Sequence, residues 1–359
     1  MNIEALARPE ILAMKPYQSA RNSAAADGIL LNANEAPHAL LEQSPSETPL
    51  NRYPPPQPEA LRDRMAEIYG VDAAQVLVTR GSDEGIDLLV RVFCRPGVDS
   101  IIECPPCFGM YRVAAGIQDA GIISVSRDDN LRIDFDALAE TVTDSHDAKL
   151  VFLTSPNNPS GDTIDRADLK RVIGAVGERA LLILDEAYIE FCDADSAAGL
   201  VRDCPNLVVL RTLSKAWAAA GLRCGTVIAS PAIIGLLQRV MAPYPLSAPA
   251  IDMALACTGE TARVKQQRMM DELERQKSRL LALVESLPWV RQCWPGEANF
   301  ILLKVDDADR LVAHCADHGV RIRNFSSNPG LESCVRLSIG SATEMDTLQD
   351  SLLSWNSTI

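Results

Sequence analysis

Between residues 75 and 229 the chain carries six short apolar runs: Gln75–Thr79, Ser100–Glu103, Lys149–Thr154, Ala180–Leu184, Leu207–Leu210 and Cys224–Ala229. Most show no alternation of apolar and polar positions, which predicts strands buried on both faces of a largely parallel sheet. Stretches with helical spacing separate several of them, among them Glu84–Phe93 and Arg166–Val176, and this succession is the α/β signature. Upstream, Pro58–Tyr69 predicts a helix that stops at Gly70, a residue suited to a left-handed C-cap. Residues 30–60, rich in Pro and polar groups and ending in Arg52-Tyr53-Pro54-Pro55-Pro56, predict an extended, irregular connection. After about residue 245 the texture changes. One long charged helical stretch is predicted from Ile251 to Leu287, then strands at Asn299–Leu303 and Ser333–Ile339, with a helix from Ala308 to His318 between them that stops at Gly319. This second region reads as a smaller α+β domain.

Composition narrows the function. A chain of 359 residues buries enough apolar surface to need neither disulfides nor metals. Lys plus Arg number 34 and Asp plus Glu 48, a net charge of −14, which excludes a general nucleic-acid binder but not a small anionic ligand held by a few Arg residues. The N-terminal stretch lacks a basic segment followed by an apolar one, and no apolar run reaches the length of a membrane span, so a cytoplasmic protein without membrane association is expected. The 10 Cys residues are expected to be reduced and mostly buried. Cys104-Pro-Pro-Cys107 has CxxC spacing, but no second pair completes a zinc site; a redox motif is the minor reading. His314 and His318 have i, i+4 spacing, but Cys315 stands where a HExxH zinc helix needs Glu. No metal is expected.

Ligands of open α/β sheets bind beyond the carboxyl ends of the strands, and there the sequence is rich in chemistry. The first run is followed by Arg80-Gly81-Ser82-Asp83-Glu84-Gly85, opening a helix. The third is followed by Ser155-Pro156-Asn157-Asn158-Pro159-Ser160-Gly161, the fourth by Asp185-Glu186-Ala187-Tyr188, and the fifth by Arg211-Thr212-Leu213-Ser214-Lys215, with Arg223 eight residues later. No GxGxxG, GxxxxGK[ST] or GxSxG motif occurs at these places, which argues against a dinucleotide, a P-loop nucleotide and a serine hydrolase. A helix N-terminus with Ser82 and Asp83, helped by Thr212, Ser214 and Arg223, suits a phosphate. A Lys beside that phosphate suggests covalent attachment of an aldehyde cofactor, and a carboxylate facing a pyridine nitrogen suggests pyridoxal 5'-phosphate.

These segments carry a resemblance. SPNNPSG, DEAY, SK with Arg223 eight residues on, and CVRLSIG near the C-terminus resemble the fold type I pyridoxal-phosphate aminotransferases. PYQSAR, LNANE (31–35), NRYP (51–54), RGSDEGI (80–86), CPPCFGMY (104–111), DEAYIEF (185–191), RTLSKAWAAAGLRCG (211–225) and APYPLS (242–247) are similar, more narrowly, to the histidinol-phosphate aminotransferase family over nearly the whole chain. The resemblance implies a large domain with a mostly parallel seven-stranded sheet plus a smaller α+β C-terminal domain. Residues 1–45 would form an N-terminal arm and part of the small domain, 46–245 the large cofactor-binding domain and 246–359 the small one.

It also implies roles. Lys215 would attach the cofactor and, once released, shuttle a proton. Asp185 would pair with the pyridinium nitrogen, Tyr188 and Asn158 with the phenolic oxygen, and Tyr111 would stack on the ring. Ser82, Asp83, Thr212, Ser214 and Arg223 would hold the cofactor phosphate, joined by Tyr53 from the partner in a homodimer with shared sites. Arg336 and Arg323 would bind the substrate phosphate, with Tyr17 and Asn34 in the same pocket. Ser160 stands where the family more often has Thr, and Cys107-Phe108 where Thr-Tyr is expected, neither of them at the cofactor core. The implied reaction is transamination of L-histidinol phosphate with 2-oxoglutarate, giving imidazole-acetol phosphate and L-glutamate in histidine biosynthesis. The same scaffold also admits a decarboxylase of a phosphorylated amino acid such as threonine phosphate, or an aromatic amino-acid aminotransferase. A cofactor-sensing regulator would need an N-terminal DNA-binding domain, for which this sequence leaves no room.

Overall fold

Seven strands build the larger sheet of this computed structural model, which describes residues 1–15, 32–41 and 49–355. They are β1 (Val76–Thr79), β2 (Ser100–Glu103), β3 (Gly121–Ser124), β4 (Ala148–Thr154), β5 (Leu181–Asp185), β6 (Leu207–Thr212) and β7 (Gly225–Ile228), in the order β1-β7-β6-β5-β4-β2-β3. Strands β2 to β6 pair in parallel, and β7 runs antiparallel to both its neighbours. The apolar runs lack alternation because helices cover both faces. Val151, Leu153, Leu182, Leu184 and Val209 pack with Leu169 and Val172 of the helix Arg166–Val176 and with Leu61 of Glu59–Tyr69. The alternate residues Leu150, Phe152, Ile183, Val208 and Leu210 pack with Ile86 and Leu89 of the helix Ser82–Phe93 and Ile233 and Leu237 of Pro231–Val240. Each such fully buried side chain stabilises the fold by about 1.5–3 kcal/mol. Gly70 ends its helix in the left-handed conformation, φ 65°, as the sequence predicts.

The smaller sheet is antiparallel throughout: β8 (Val290–Trp294), β9 (Phe300–Val305), β10 (Arg323–Asn324) and β11 (Cys334–Ser338), in the order β10-β11-β9-β8. Its core gathers Ile301, Leu303, Val335 and Leu337 against Leu280 and Val284, Leu311 and Cys315, and Met345 and Leu348, the last pair from the helix Ala342–Ser354.

Three expectations change. β3 escaped the sequence reading because it is a four-residue edge strand with no buried position. The predicted helix from Ile251 to Leu287 is two helices, Ala248–Cys257 and Glu260–Val284, broken at Thr258-Gly259. Buried Thr258 turns its hydroxyl back to the Ala254 carbonyl, and its own carbonyl accepts from Arg64 at 3.0 Å. The first of these helices places Ile251 and Ala254 in the large sheet's core, so that core extends past residue 245. At the other end, Ile3, Leu6, Ala7 and Ile11 also pack on the large sheet's helices, and the Arg8 N–H donates to the Val92 carbonyl at 3.0 Å. The first residues of the N-terminal arm thus lie against the large sheet.

The two sheets meet at bare backbone. Gly161 and Gly296 both have positive φ, 75° and 51°. A Cβ on Gly161 would sit 2.7 Å from the Gly296 Cα, and one on Gly296 2.5 Å from the Gly161 Cα. The Glu297 N–H donates to the Gly161 carbonyl at 2.7 Å, and Lys277 Nζ donates to the carbonyls of Gly296 and Ala298 at 2.8 and 2.9 Å. Among the described residues no helix is long and apolar enough to cross a membrane, and no cluster of three or more His, Cys, Asp or Glu is arranged to hold a metal. All ten cysteines are free thiols. Burial pushes the Cys104 thiol up to about 12 and raises Cys107 as well, which disfavours the thiolate that redox chemistry needs.

Candidate active site

The carboxyl ends of β4, β5 and β6 and the start of the helix Ser82–Phe93 close on one cavity. At one end lies an anion cradle. Gly81 precedes the helix with φ 79° and offers no side-chain cap, so the first-turn N–H groups remain available to a ligand. The β6–β7 connection is pressed against this turn: a Cβ on Gly225 would lie 2.4 Å from the Gly81 carbonyl carbon and 2.5 Å from the Ser82 nitrogen. Thr212 Oγ1 donates to Ser214 Oγ at 3.0 Å, and Arg223 donates to Ser214 Oγ at 3.1 Å and to Asp83 Oδ2 at 3.2 Å. Ser82, Asp83, Thr212, Ser214 and Arg223 all line this cavity.

At the other end stands Asp185, the last residue of β5 and 2% exposed. Its Oδ1 accepts from the Ala187 N–H at 3.1 Å and its Oδ2 from the Tyr111 hydroxyl at 2.8 Å. Burial pushes this carboxyl up to about 6, and the two donated hydrogen bonds oppose the rise. Here the structure corrects two expectations. Tyr111 is wholly buried, its ring stacked on Phe152 with centroids 4.7 Å apart, and it is not a wall of the cavity. The aromatic wall is Phe108, set edge-on to Tyr111 at 5.7 Å. Phe108 therefore faces the cavity, contrary to the expectation that the Cys107-Phe108 departure stays clear of it. Ser160 does stay clear: it is buried, and its hydroxyl bonds Asn157 and Asp162.

Lys215 lines the same cavity, with Nζ 5.3 Å from the centroid of the Tyr188 ring. Burial, and then the Arg336 charge, hold its amine below the ordinary lysine range. The Tyr188 hydroxyl accepts from Asn158 Nδ2 at 3.5 Å, and burial pushes its phenol up to about 12. Asn158 Oδ1 in turn accepts from Arg336 Nη1. The Arg336 guanidinium carbon sits 5.0 Å from the Phe300 ring centroid and 5.5 Å from that of Phe325. Arg323 stands directly opposite Arg336 in the β10–β11 register. Burial lowers the Arg336 pKa, Tyr188 opposes this and the Arg323 charge adds to it, and its Nε is buried without a hydrogen-bond partner among the described residues. Two cations side by side with an unsatisfied donor suit a dianion.

Arg336 and Arg323 do not themselves line the cavity, which Arg336 meets through Asn158, and the other candidates lie apart from it. Tyr53, 47% exposed, stacks on Tyr244 at 4.5 Å, outside the cavity of its own chain. Asn34 is exposed, with φ 55°, and does not line the cavity. Tyr17 falls outside the described residues. The sequence reading missed Thr154, Ala187 and Phe108 as cavity walls; their place at the strand ends and in the CPPCFGMY turn was the available signal.

This fold and site define an aminotransferase: residues 26–352 match the family described as aminotransferase class I and II, and the chain belongs to it. A histidinol-phosphate aminotransferase from Serratia proteamaculans is 40% identical over 353 residues, covering 98% of this chain and 96% of that one. Another from Aeromonas salmonicida is 41% identical over 348 residues, 97% of each. The chain is a member of the histidinol-phosphate aminotransferase family. Its fold is shared with the crystal structure of histidinol-phosphate aminotransferase from Sinorhizobium meliloti in complex with pyridoxal-5'-phosphate, at TM-score 0.76 and 23% identity over 84% of this chain and 82% of that one.

Proposed function

We propose that the protein transfers the amino group of L-histidinol phosphate to 2-oxoglutarate, giving imidazole-acetol phosphate and L-glutamate, with pyridoxal 5'-phosphate held between the anion cradle and Asp185. The observation that carries this reading is the set of three chemistries lining one cavity: a phosphate cradle, a buried carboxylate and a lysine of lowered pKa. The cofactor, when bound, supplies an aldehyde to take up the amino group and a cationic ring to accept electrons from the substrate carbon.

The residues of the chain do the rest. Ser82 and Asp83 N–H groups, the Thr212 and Ser214 hydroxyls and Arg223 hold the phosphate. Asp185 holds the proton on the ring nitrogen. Tyr188 and Asn158 would hydrogen-bond the phenolic oxygen, and Phe108 and Ala187, which line the cavity, would be the residues to cover the ring, the role first expected of Tyr111. Lys215 would hold the aldehyde end of the cofactor, and its amine, less basic than an exposed lysine, would be the group placed to move a proton at the substrate carbon. Arg336 and Arg323 bind the substrate phosphate in the forked geometry that guanidinium favours. Tyr53 completes the phosphate site of the other subunit in a homodimer; its half-exposed position outside its own cavity supports this. The activity belongs to histidine biosynthesis, in the cytoplasm. Names shared at about 40% identity over the full chain favour this over the decarboxylase and aromatic readings.

The test is a half-reaction. Protein loaded with pyridoxal 5'-phosphate is mixed with L-histidinol phosphate and no keto acid. The absorption of the lysine-bound cofactor should give way to that of the aminated cofactor, and 2-oxoglutarate should restore it. An unchanged spectrum overturns the substrate; a protein that never acquires the lysine-bound band overturns the cofactor.

A further inference from the structure

We propose that Tyr111 is the positioning residue for Asp185, acting through the carboxylate and not on the cofactor ring. The inference rests on the cofactor reading above and assigns this chain's Tyr111 a different task from ring stacking.

Three elements bring the partners together. Thr154 ends β4 and Asp185 ends β5, and the two are directly paired in the parallel register. Tyr111 comes from the helix Met110–Ile117 and reaches both, with its hydroxyl 2.8 Å from Thr154 Oγ1 and 2.8 Å from Asp185 Oδ2. A phenol has one proton to donate. An ionised carboxylate can only accept, so that proton serves Asp185 and Thr154 donates to the Tyr111 oxygen. The chain of donors therefore has one sense, from Thr154 to Tyr111 to Asp185, and each bond polarises the next. The Ala187 N–H occupies the other carboxylate oxygen. All three side chains are buried.

The ring of Tyr111 has no freedom to release this contact. It is stacked on Phe152 with planes 13° apart and met edge-on by Phe108 at 82°. The phenol itself is raised well above its ordinary range by burial and by Asp185, so it remains a donor over the whole working pH range. Without it, a carboxyl already penalised by burial would take up a proton more readily. A neutral Asp185 no longer favours the protonated pyridine nitrogen.

Tyr111→Phe removes the hydroxyl and keeps the stacked ring. With pyridoxal 5'-phosphate labelled with 15N in the ring, its nitrogen resonance should move toward that of unprotonated pyridine. The cofactor dissociation constant should rise by about tenfold, the worth of one hydrogen bond to a charged group. Thr154→Val, which deletes the first donor of the chain, should shift the resonance in the same direction by less, and it decides the matter if Tyr111→Phe does not fold. Variants that melt earlier but keep the wild-type nitrogen resonance and cofactor affinity overturn the proposal and leave the cofactor reading standing. A wild-type protein that acquires no lysine-bound cofactor overturns the reading beneath it.

Discussion

Arg336 and Asn158 join the small sheet to the cavity: a guanidinium on β11 donates to the amide oxygen of the loop that follows β4. The same amide donates to Tyr188 at 3.5 Å, so one asparagine touches both the proposed substrate site and the proposed cofactor site. Arg336→Ala removes the cation and its contacts with Phe300 and Phe325. KM for a phosphorylated substrate should rise roughly 10- to 100-fold, as for loss of a charged hydrogen bond, while cofactor affinity stays nearly unchanged. Steady-state kinetics beside a cofactor titration checks this. Equal losses in both would take Arg336 out of the substrate pocket.

Asp185 gives the cofactor-free protein a pH-dependent stability. Its folded pKa, about 6, lies above the ordinary 3.8, so the folded state binds the proton more tightly. That contribution is fully present below about pH 4 and is lost as pH rises through about 6, a change on the order of 3 kcal/mol. Asp185→Asn should therefore raise the Tm of the cofactor-free protein near pH 7.5, leave it little changed near pH 4, and cut turnover severely. Melting curves at both pH values decide it. An equal gain at each would mean that the buried charge is not the cause.

Gly225 is needed for space. The extra methyl of Gly225→Ala would meet backbone atoms of Gly81 and Ser82 at 2.4 and 2.5 Å, and backbone cannot turn aside as a side chain can. The expected cost is about 1–3 kcal/mol of stability, together with weaker cofactor binding as the cradle is pushed open. Urea denaturation and cofactor titration should move together; wild-type values in both would refute the steric argument.

The proposed sharing of active sites between subunits makes a complementation prediction. Lys215→Ala should abolish turnover without unfolding the chain, and Tyr53→Ala should impair it severely. Mixed subunits should recover activity, because one site of each heterodimer would hold both wild-type residues. Confirmed heterodimers without recovered activity would assign Tyr53 to its own subunit's structure.

The large sheet and most of the cavity are legible in the sequence because burial on both faces writes each central strand as an unbroken apolar run, and the chemistry follows directly at each run's end. Asp185, Ser214 and Lys215 stand out for this reason. β3 left no such trace, since an edge strand with partly exposed positions need not be apolar. The break at Thr258-Gly259 was hidden because the charges on either side continue the helical texture. Phe108 and Tyr111 show a different limit. They lie three residues apart on one turn, both aromatic, and only packing against Phe152 decides which ring enters the core and which faces the cavity. Similarly, Arg323 and Arg336 were identified by resemblance, while the rings of Phe300 and Phe325 that flank Arg336 come from tertiary structure.

The contact of Gly161 with Gly296 has a mechanical consequence. Two main chains already touching cannot be driven closer, and no side chain lies between them to be compressed. A side chain at either position would force the two main chains apart, so the spacing between the β4–β5 connection and the β8–β9 turn depends on both residues being glycine.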